Sequence, residues 1–459
     1  MNTRLRGFNR VGTARRLAYT ARQVVTELAV SRWLTLFTLI LAGEMVFGLP
    51  FNTARFFRPT LLEAFNFTNT QLGDLFAVYG ITAMLCYFPG GALADRFQAR
   101  TLLSLSLVAT ACGGFVMMSF PQAETMALLY AFWGITSVLL LWGALIRATR
   151  EWGGARQQGQ AFGLLEAGRG IMAAAVAFVA LKVFAWSLAG DVIDDSNRLA
   201  AFRNVILVYT FVTLTVAAMA WFFIPTSDGS TSSRPSPLLG MRRVVGRPVI
   251  WAQAGIIIAA YCGYKSVDNY SLYAVQVLGF DELEAAELSA IGAYIRPAGA
   301  LAAGFFADRF SALRSVGIAF VLMLIAYVAL SVATPDSAGL TLIFINLFIS
   351  YFAVCGLRGV YFALLEENET PKQITGAAVG MISLIGFTPE IFFHPITGRI
   401  LDADPGVVGH QNYFLFMVGV AVMGLSATLL LTWLRRRGGL WTQEIRHGAG
   451  RPAGKLETE

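Results

Sequence analysis

Ten charged side chains stand inside long apolar stretches of this 459-residue chain: Arg169, Lys182, Lys265, Arg296, Arg358 and Arg399, with Glu44, Glu166, Asp268 and Glu390. In hydrocarbon each costs about 2.5–3.5 kcal/mol at a helix centre, so each needs a partner, a wet cavity or a substrate. Lys182 and Arg399 lie near outer helix ends, where a long side chain can reach water. Spacing pairs several of the others on one helix face: Glu166 with Arg169 and Lys265 with Asp268 at i,i+3, and Glu390 with His394 at i,i+4 beyond Pro389. Mutual neutralisation is one reading of such pairs. Two leucines would cost less, however, and pairs retained in lipid mark a pathway. Arg296, before Pro297, and Arg358, two residues after Gly356, have no local acid and are candidate substrate anchors. Glu44 and Arg55 lie about three helical turns apart and share a face if the helix runs through Pro50. Arg55 and Arg58 then stand at its outer end, at the mouth of a cavity.

This inventory points to a chemistry. Cations without local acids suit a carboxylate, phosphate or sulfonate, because arginine grips planar oxyanions through two parallel bonds. Acids that lose their charge on protonation suit coupling to a proton gradient. The candidates for that role are Glu44, Glu166, Asp268 and Glu390, with His394, and Arg169 is the charge partner of Glu166.

The elements that must position these groups are membrane helices. The chain is 56% hydrophobic and only 14% charged, with a mean hydropathy of +0.61. Soluble domains run near 25% charged, so a set of soluble domains is excluded. Twelve continuous apolar runs reach the roughly 20 residues a spanning helix needs. They lie at about 33–50, 75–94, 102–120, 126–146, 161–186, 204–224, 249–277, 288–306, 314–333, 340–365, 374–400 and 413–434. The fold class expected is therefore an all-α polytopic membrane protein. With the N-terminus inside, the inner segments hold 25 of the 35 basic residues and 11 of the 28 acids, against 4 and 13 outside. That asymmetry predicts cytoplasmic termini and ties the net charge of +7 to topology rather than to nucleic acid. No cleavable signal is visible in residues 1–32, whose stretch 17–30 reads as a surface helix or as part of a basic tail. Cys86, Cys112, Cys262 and Cys355 all fall within spans without ligand spacing, so no metal and no cofactor is expected.

A polar stretch from Pro225 to Pro237 reads as a linker. It divides the chain into a basic segment 1–32, a six-helix lobe 33–224, a linker 225–248, a second lobe 249–434 and a tail 435–459. The halves echo each other. Gly91-Ala-Leu-Ala-Asp95-Arg96-Phe97 ends span two, and Gly304-Phe-Phe-Ala-Asp308-Arg309-Phe310 ends span eight, 213 residues later. Gly159 to Gly163 opens span five as Gly376 to Gly380 opens span eleven. Parallel six-helix repeats imply two lobes with a site between them.

On these residues the sequence resembles the major facilitator superfamily of secondary transporters, over all twelve spans. The resemblance implies two pseudo-symmetric lobes and alternating access. It makes Gly91, Asp95, Arg96, Gly304, Asp308 and Arg309 a conformational latch. It also lines the cavity with spans one, four, seven and ten, which would turn Glu44, Arg55, Lys265, Asp268 and Arg358 inward, with Tyr264 and Tyr361 beside a ligand. The runs Gln160 to Gly170 and Ile385 to Phe392 are similar to a bacterial branch near the organophosphate and nitrate porters. Span five carries Glu166-Ala-Gly-Arg169 where nitrate porters have an asparagine-containing glycine signature, and span seven offers Lys265 where organophosphate antiporters have an arginine.

The function expected is proton-coupled carriage of a small organic anion by a monomer in a bacterial inner membrane, with lipid, cargo and protons as partners. Efflux of a drug- or siderophore-like compound is the alternative, although the arginine of mid span four that drug antiporters carry is missing. A non-transporting sensor is the remote alternative. An enzyme is not expected, because the three histidines, His394, His410 and His447, are widely separated.

Overall fold

The computed structural model of the chain describes residues 32–154, 157–188, 195–226, 244–368, 370 and 375–437. The expected basic segment and surface helix before residue 32, most of the linker and most of the tail lie outside the described residues. Two lobes of six helices follow in order. The first holds α1 (Arg32–Met45, then Gly48–Phe56), α2 (Asn69–Arg96), α3 (Ala99–Met117), α4 (Ala123–Gly153), α5 (Gln158–Leu188) and α6 (Asp195–Phe223). The second holds α7 (Pro248–Ser266, then Tyr270–Gln276), α8 (Glu282–Arg309), α9 (Ala312–Val332), α10 (Gly339–Val360), α11 (Thr375–Gly386, then Pro389–Ala403) and α12 (Val407–Arg436).

Among the described residues nine helices are long and apolar enough to cross a membrane as one rod, and α1 and α2 qualify as pairs bent by 45° and 54°. The remaining one, α7, is more polar because Gln253, Tyr261, Tyr264 and Lys265 interrupt its apolar residues. Large apolar side chains cover the outside: Leu85, Leu128, Trp186, Phe222, Phe305 and Val332 are 71–78% exposed. A belt of that kind belongs against lipid, where a helix keeps every backbone bond internal.

The irregularities have local causes. Pro50 cannot donate to the helix ladder, and α1 widens there into a π-turn over Gly48–Asn52. Asn52 N donates to Phe47 O at 3.1 Å, and the Tyr130 hydroxyl donates to the Pro50 carbonyl at 3.0 Å. In α7 a 3₁₀ turn over Val267–Asn269 joins the two helical pieces. The short polar side chains of Asp and Asn favour such turns over helix interiors. The start of α2 carries a capping box, Thr68 accepting from Gln71 N and Gln71 accepting from Thr68 N.

The lobes meet along α2 against α11 and α5 against α8. Glycine makes the first contact possible: a Cβ built on Gly80 would stand 2.7 Å from the Glu390 carbonyl oxygen. Backbones approach this closely only where side chains are absent.

Candidate functional site

A central cavity lies between the lobes. The first lobe lines it with Glu44, Phe47, Phe51, Asn52 and Arg55 from α1, Tyr79 and Tyr87 from α2, Trp142 from α4 and Arg169 from α5. The second lobe adds Tyr261, Tyr264 and Lys265 from α7, Arg358 from α10, and Phe387 and Glu390 from α11. The π-turn of α1 aims Asn52 back at Glu44, with Nδ2 donating to Oε1 at 3.2 Å. A second π segment, Ile135–Trp142, ends on the cavity tryptophan. Such turns recur at functional sites because they rotate one side chain out of register.

Two charge clusters form. In the first, Arg169 joins Glu166 at 2.7 Å and Glu44 at 3.4 Å, and Glu166 lies 3.7 Å from Arg358 and 3.9 Å from Arg296. In the second, Arg55 meets Asp268 at 2.5 Å, His394 Nε2 stands 3.4 Å from the other Asp268 oxygen, and Lys265 meets Glu390 at 2.7 Å. Tyr264 links the clusters. Its hydroxyl accepts from Arg55 Nη1 at 3.0 Å, and its ring lies beneath Arg358 at 4.0 Å, Arg55 at 4.7 Å and Arg296 at 5.6 Å. An aromatic face attracts cations electrostatically, so one ring steadies three guanidiniums.

Several pairings differ from those that helical spacing suggests. Glu166 and Arg169 do pair locally. Lys265 and Asp268 do not, because the 3₁₀ turn takes Asp268 off the face of Lys265 and toward Arg55. Glu390 and His394 also part, to Lys265 and Asp268 respectively. Arg296 and Arg358 do have an acid nearby, Glu166, contributed by the other lobe. Arg55 and Arg58 are buried rather than set at a mouth, and Arg58 Nε and Nη2 both donate to Asn69 Oδ1. Arg296 sits behind the lining, against Gly170. Tyr361 is buried beside Phe362 and close enough to Arg358, Tyr264 and Arg169 to interact with them electrostatically, without itself lining the cavity. Sequence reasoning missed Asn52, Phe51, Trp142 and Phe387, neutral groups that carry no burial cost to betray them.

The two ends of the bundle differ. We call the end where α1 starts and α12 finishes the near face. At the far face Asp402 of α11 accepts from Asn69 N and Nδ2 at 3.0 Å and from Thr70 N at 2.6 Å, capping α2 from the other lobe. Arg399 meets Asp74 at 2.9 Å and Arg198 meets Glu282 at 2.7 Å. Arg399 thus reaches an acid of the other lobe rather than only water. At the near face a Cβ on Gly91, Gly163, Gly304 or Gly380 would meet no atom within 4 Å. Asp95, Arg96, Asp308 and Arg309 are exposed there. Arg147 donates to the carbonyls of Ala94 at 2.6 Å and Phe97 at 3.3 Å. In the second lobe Glu367 accepts from Ser311 Oγ at 2.7 Å and Leu313 N at 3.0 Å, and it pairs with Arg435. Burial alone would push the Glu367 carboxyl up, but the bonds from Arg435, Ser311 and Leu313 outweigh it and hold the group below the usual carboxylate range.

Comparison with known proteins agrees with this geometry. The family model described as Major Facilitator Superfamily matches residues 40–393. The inner membrane protein YqcE of Escherichia coli (strain K12) is 27% identical over 412 residues, 86% of this chain and 92% of that protein. The probable nitrate/nitrite antiporter NarK1 of Thermus thermophilus is 26% identical over 299 residues, 63% of each chain. Among solved structures, a bacterial homologue of the human lysosomal transporter Spinster, in an inward-facing and unoccupied conformation, superposes with a TM-score of 0.69. It is 16% identical, and the match covers 90% of this chain and 98% of that one.

Proposed function

The chain belongs to the major facilitator superfamily, and from that premise we propose that it carries a small organic anion by alternating access, coupled to protons. The observation that carries this reading is the charge of the site. Arg55, Arg169, Lys265, Arg296 and Arg358 face only four carboxylates, Glu44, Glu166, Asp268 and Glu390. Arg58 is buried near Asp268 as well, so cations outnumber carboxylates around the site and an anionic cargo would offset the excess. Arg358 is the group best placed to bind, since its nearest carboxylate, at 3.7 Å, is beyond hydrogen-bonding distance and its side chain is 20% exposed. Phe51, Trp142 and Phe387 offer apolar faces for the carbon frame. The similarity to NarK1, a probable nitrate/nitrite antiporter, supports an anionic cargo.

The faces support alternating access. Glycine inside a helix costs about 1 kcal/mol relative to alanine, yet Gly91, Gly163, Gly304 and Gly380 touch nothing across the interface here. Their use lies in another state, in which the near ends of α2, α5, α8 and α11 close as α2 and α11 now close at the far face. Asp95 and Asp308 would latch that state. By the distribution of basic residues the near face is cytoplasmic, in a bacterial inner membrane, and the chain works as a monomer.

The test is uptake by proteoliposomes under an imposed pH gradient, with nitrate, glucuronate and glycerol 3-phosphate as probes. At least one probe enters in a gradient-dependent way, and Arg358→Gln weakens its apparent affinity. Neither uptake nor counterflow of any oxyanion, alongside transport of neutral or cationic solutes, would contradict the reading.

A further inference from the structure

We propose that Arg55 and Asp268 are the exchange point between cargo and proton: the cargo oxyanion takes the Arg55 guanidinium from Asp268, and Asp268 then accepts the co-transported proton. This rests on the anion-carrier reading above and assigns its coupling residue.

Arg55 can be reached. It lines the central cavity and also a second, small one, bounded by Tyr270, Ser289 and Tyr351 in the far-face half of the second lobe. Asp268 lines neither and is 1% exposed. The ion pair joins α1 to α7, and the Arg55 carbonyl also accepts from Ser271 Oγ at 3.3 Å. Cargo moving from the central cavity toward the far face therefore meets Arg55 first, and Asp268 comes within reach of water only once Arg55 turns away.

The other cavity acids are held differently. Glu390 accepts from the Tyr261 hydroxyl at 3.1 Å as well as from Lys265, and Glu44 accepts from Asn52 as well as facing Arg169. Each keeps a neutral donor if its cation is drawn off. Asp268 has Arg55 as its hydrogen-bond donor, with the His394 ring at 3.4 Å. It is faced by Arg55 from α1, Arg58 from the short helix Arg58–Phe65 that follows, Lys265 from α7, His394 from α11 and Tyr413 from α12. Removing one partner of a buried ion pair leaves an uncompensated charge, which is strongly unfavourable. A proton removes that charge. It arrives from cavity water, an O–H bond forms on Asp268, and the entry of a monoanion with one proton leaves the net charge of the site unchanged. His394, wedged against Phe76 at 4.4 Å and Phe393 at 5.3 Å, stands 3.4 Å from the second carboxyl oxygen.

Infrared spectroscopy of the purified full chain tests this without a cargo. At pH 7 the wild type shows no Asp268 carboxylic-acid band. Arg55→Gln, which mimics loss of the guanidinium, shows one, and it vanishes in the Arg55→Gln, Asp268→Asn double variant. Arg55→Lys, which keeps the charge, shows none and controls for folding. In proteoliposomes with the probes above, Asp268→Asn still exchanges cargo but its pH-driven accumulation falls to simple equilibration. Absence of the band in Arg55→Gln, or gradient-driven accumulation by Asp268→Asn at the wild-type level, overturns the assignment. If the wild type moves no oxyanion, the carrier reading fails, and the infrared result still decides where the proton binds.

Discussion

The far face is tied across the lobes, whereas the near-face loops are pinned within each lobe. At the far face a carboxylate of α11 caps α2, Arg399 meets Asp74 and Arg198 meets Glu282. At the near face Arg147 holds the loop after α2, and Glu367 with Arg435 holds the loop after α8. The interface glycines follow the same division, with Gly80 against backbone and Gly304 against open space. The difference teaches that, among the described residues, the two ends of the bundle are held differently: ties across the lobes at the far face, ties within each lobe at the near face.

Substitutions at those glycines should produce the largest break in this asymmetry. Gly80→Ala sets a methyl against the Glu390 carbonyl. At about 1–3 kcal/mol for overpacking, it should shift the population away from the far-closed state by about 5- to 150-fold. Spin-label distances between α2 and α11 at the far face would lengthen. Gly304→Ala should leave those distances unchanged and slow turnover instead, because its methyl obstructs only near-face closure. Equal effects of the two would remove the distinction. A smaller shift is expected from Asp402→Ala, which uncaps α2: caps contribute about 0.5–2 kcal/mol, so the same labels should report a change of about 2- to 30-fold.

The smallest effect concerns the near face. Glu367 has a depressed folded-state pKa, so its contribution is complete above the ordinary Glu value of about 4.3 and is lost as pH falls through the lower folded value. Glu367→Gln should lower the thermal midpoint slightly at pH 7, by about 1 kcal/mol in stability terms given the partial exposure. The gap from wild type should close in acid. A gap that widened on acidification would contradict the assignment.

Much of this was legible in the sequence. The apolar runs, the doubled Asp-Arg loops and the buried charges sufficed for the fold and for the charged residues of the lining. The pairings were less legible because spacing rules assume a regular helix. Val267–Asn269 is a tightened turn, so Asp268 left Lys265, although the adjacent Asp and Asn were a local sign of it. The Asp402 cap joins residues more than 300 positions apart, and only the assembled lobes reveal it. Trp142 and Asn52 gave no signal, since neutral residues in a span look like packing.

The central claim is that a surplus buried cation binds an anionic cargo, and Arg358 is the direct place to test it. Gradient-driven uptake of nitrate, glucuronate and glycerol 3-phosphate should be compared in wild type and Arg358→Gln. The account predicts a loss of apparent affinity of at least about 30-fold for the transported oxyanion, equivalent to about 2 kcal/mol, with the protein still folded. Uptake by Arg358→Gln at wild-type affinity would contradict it.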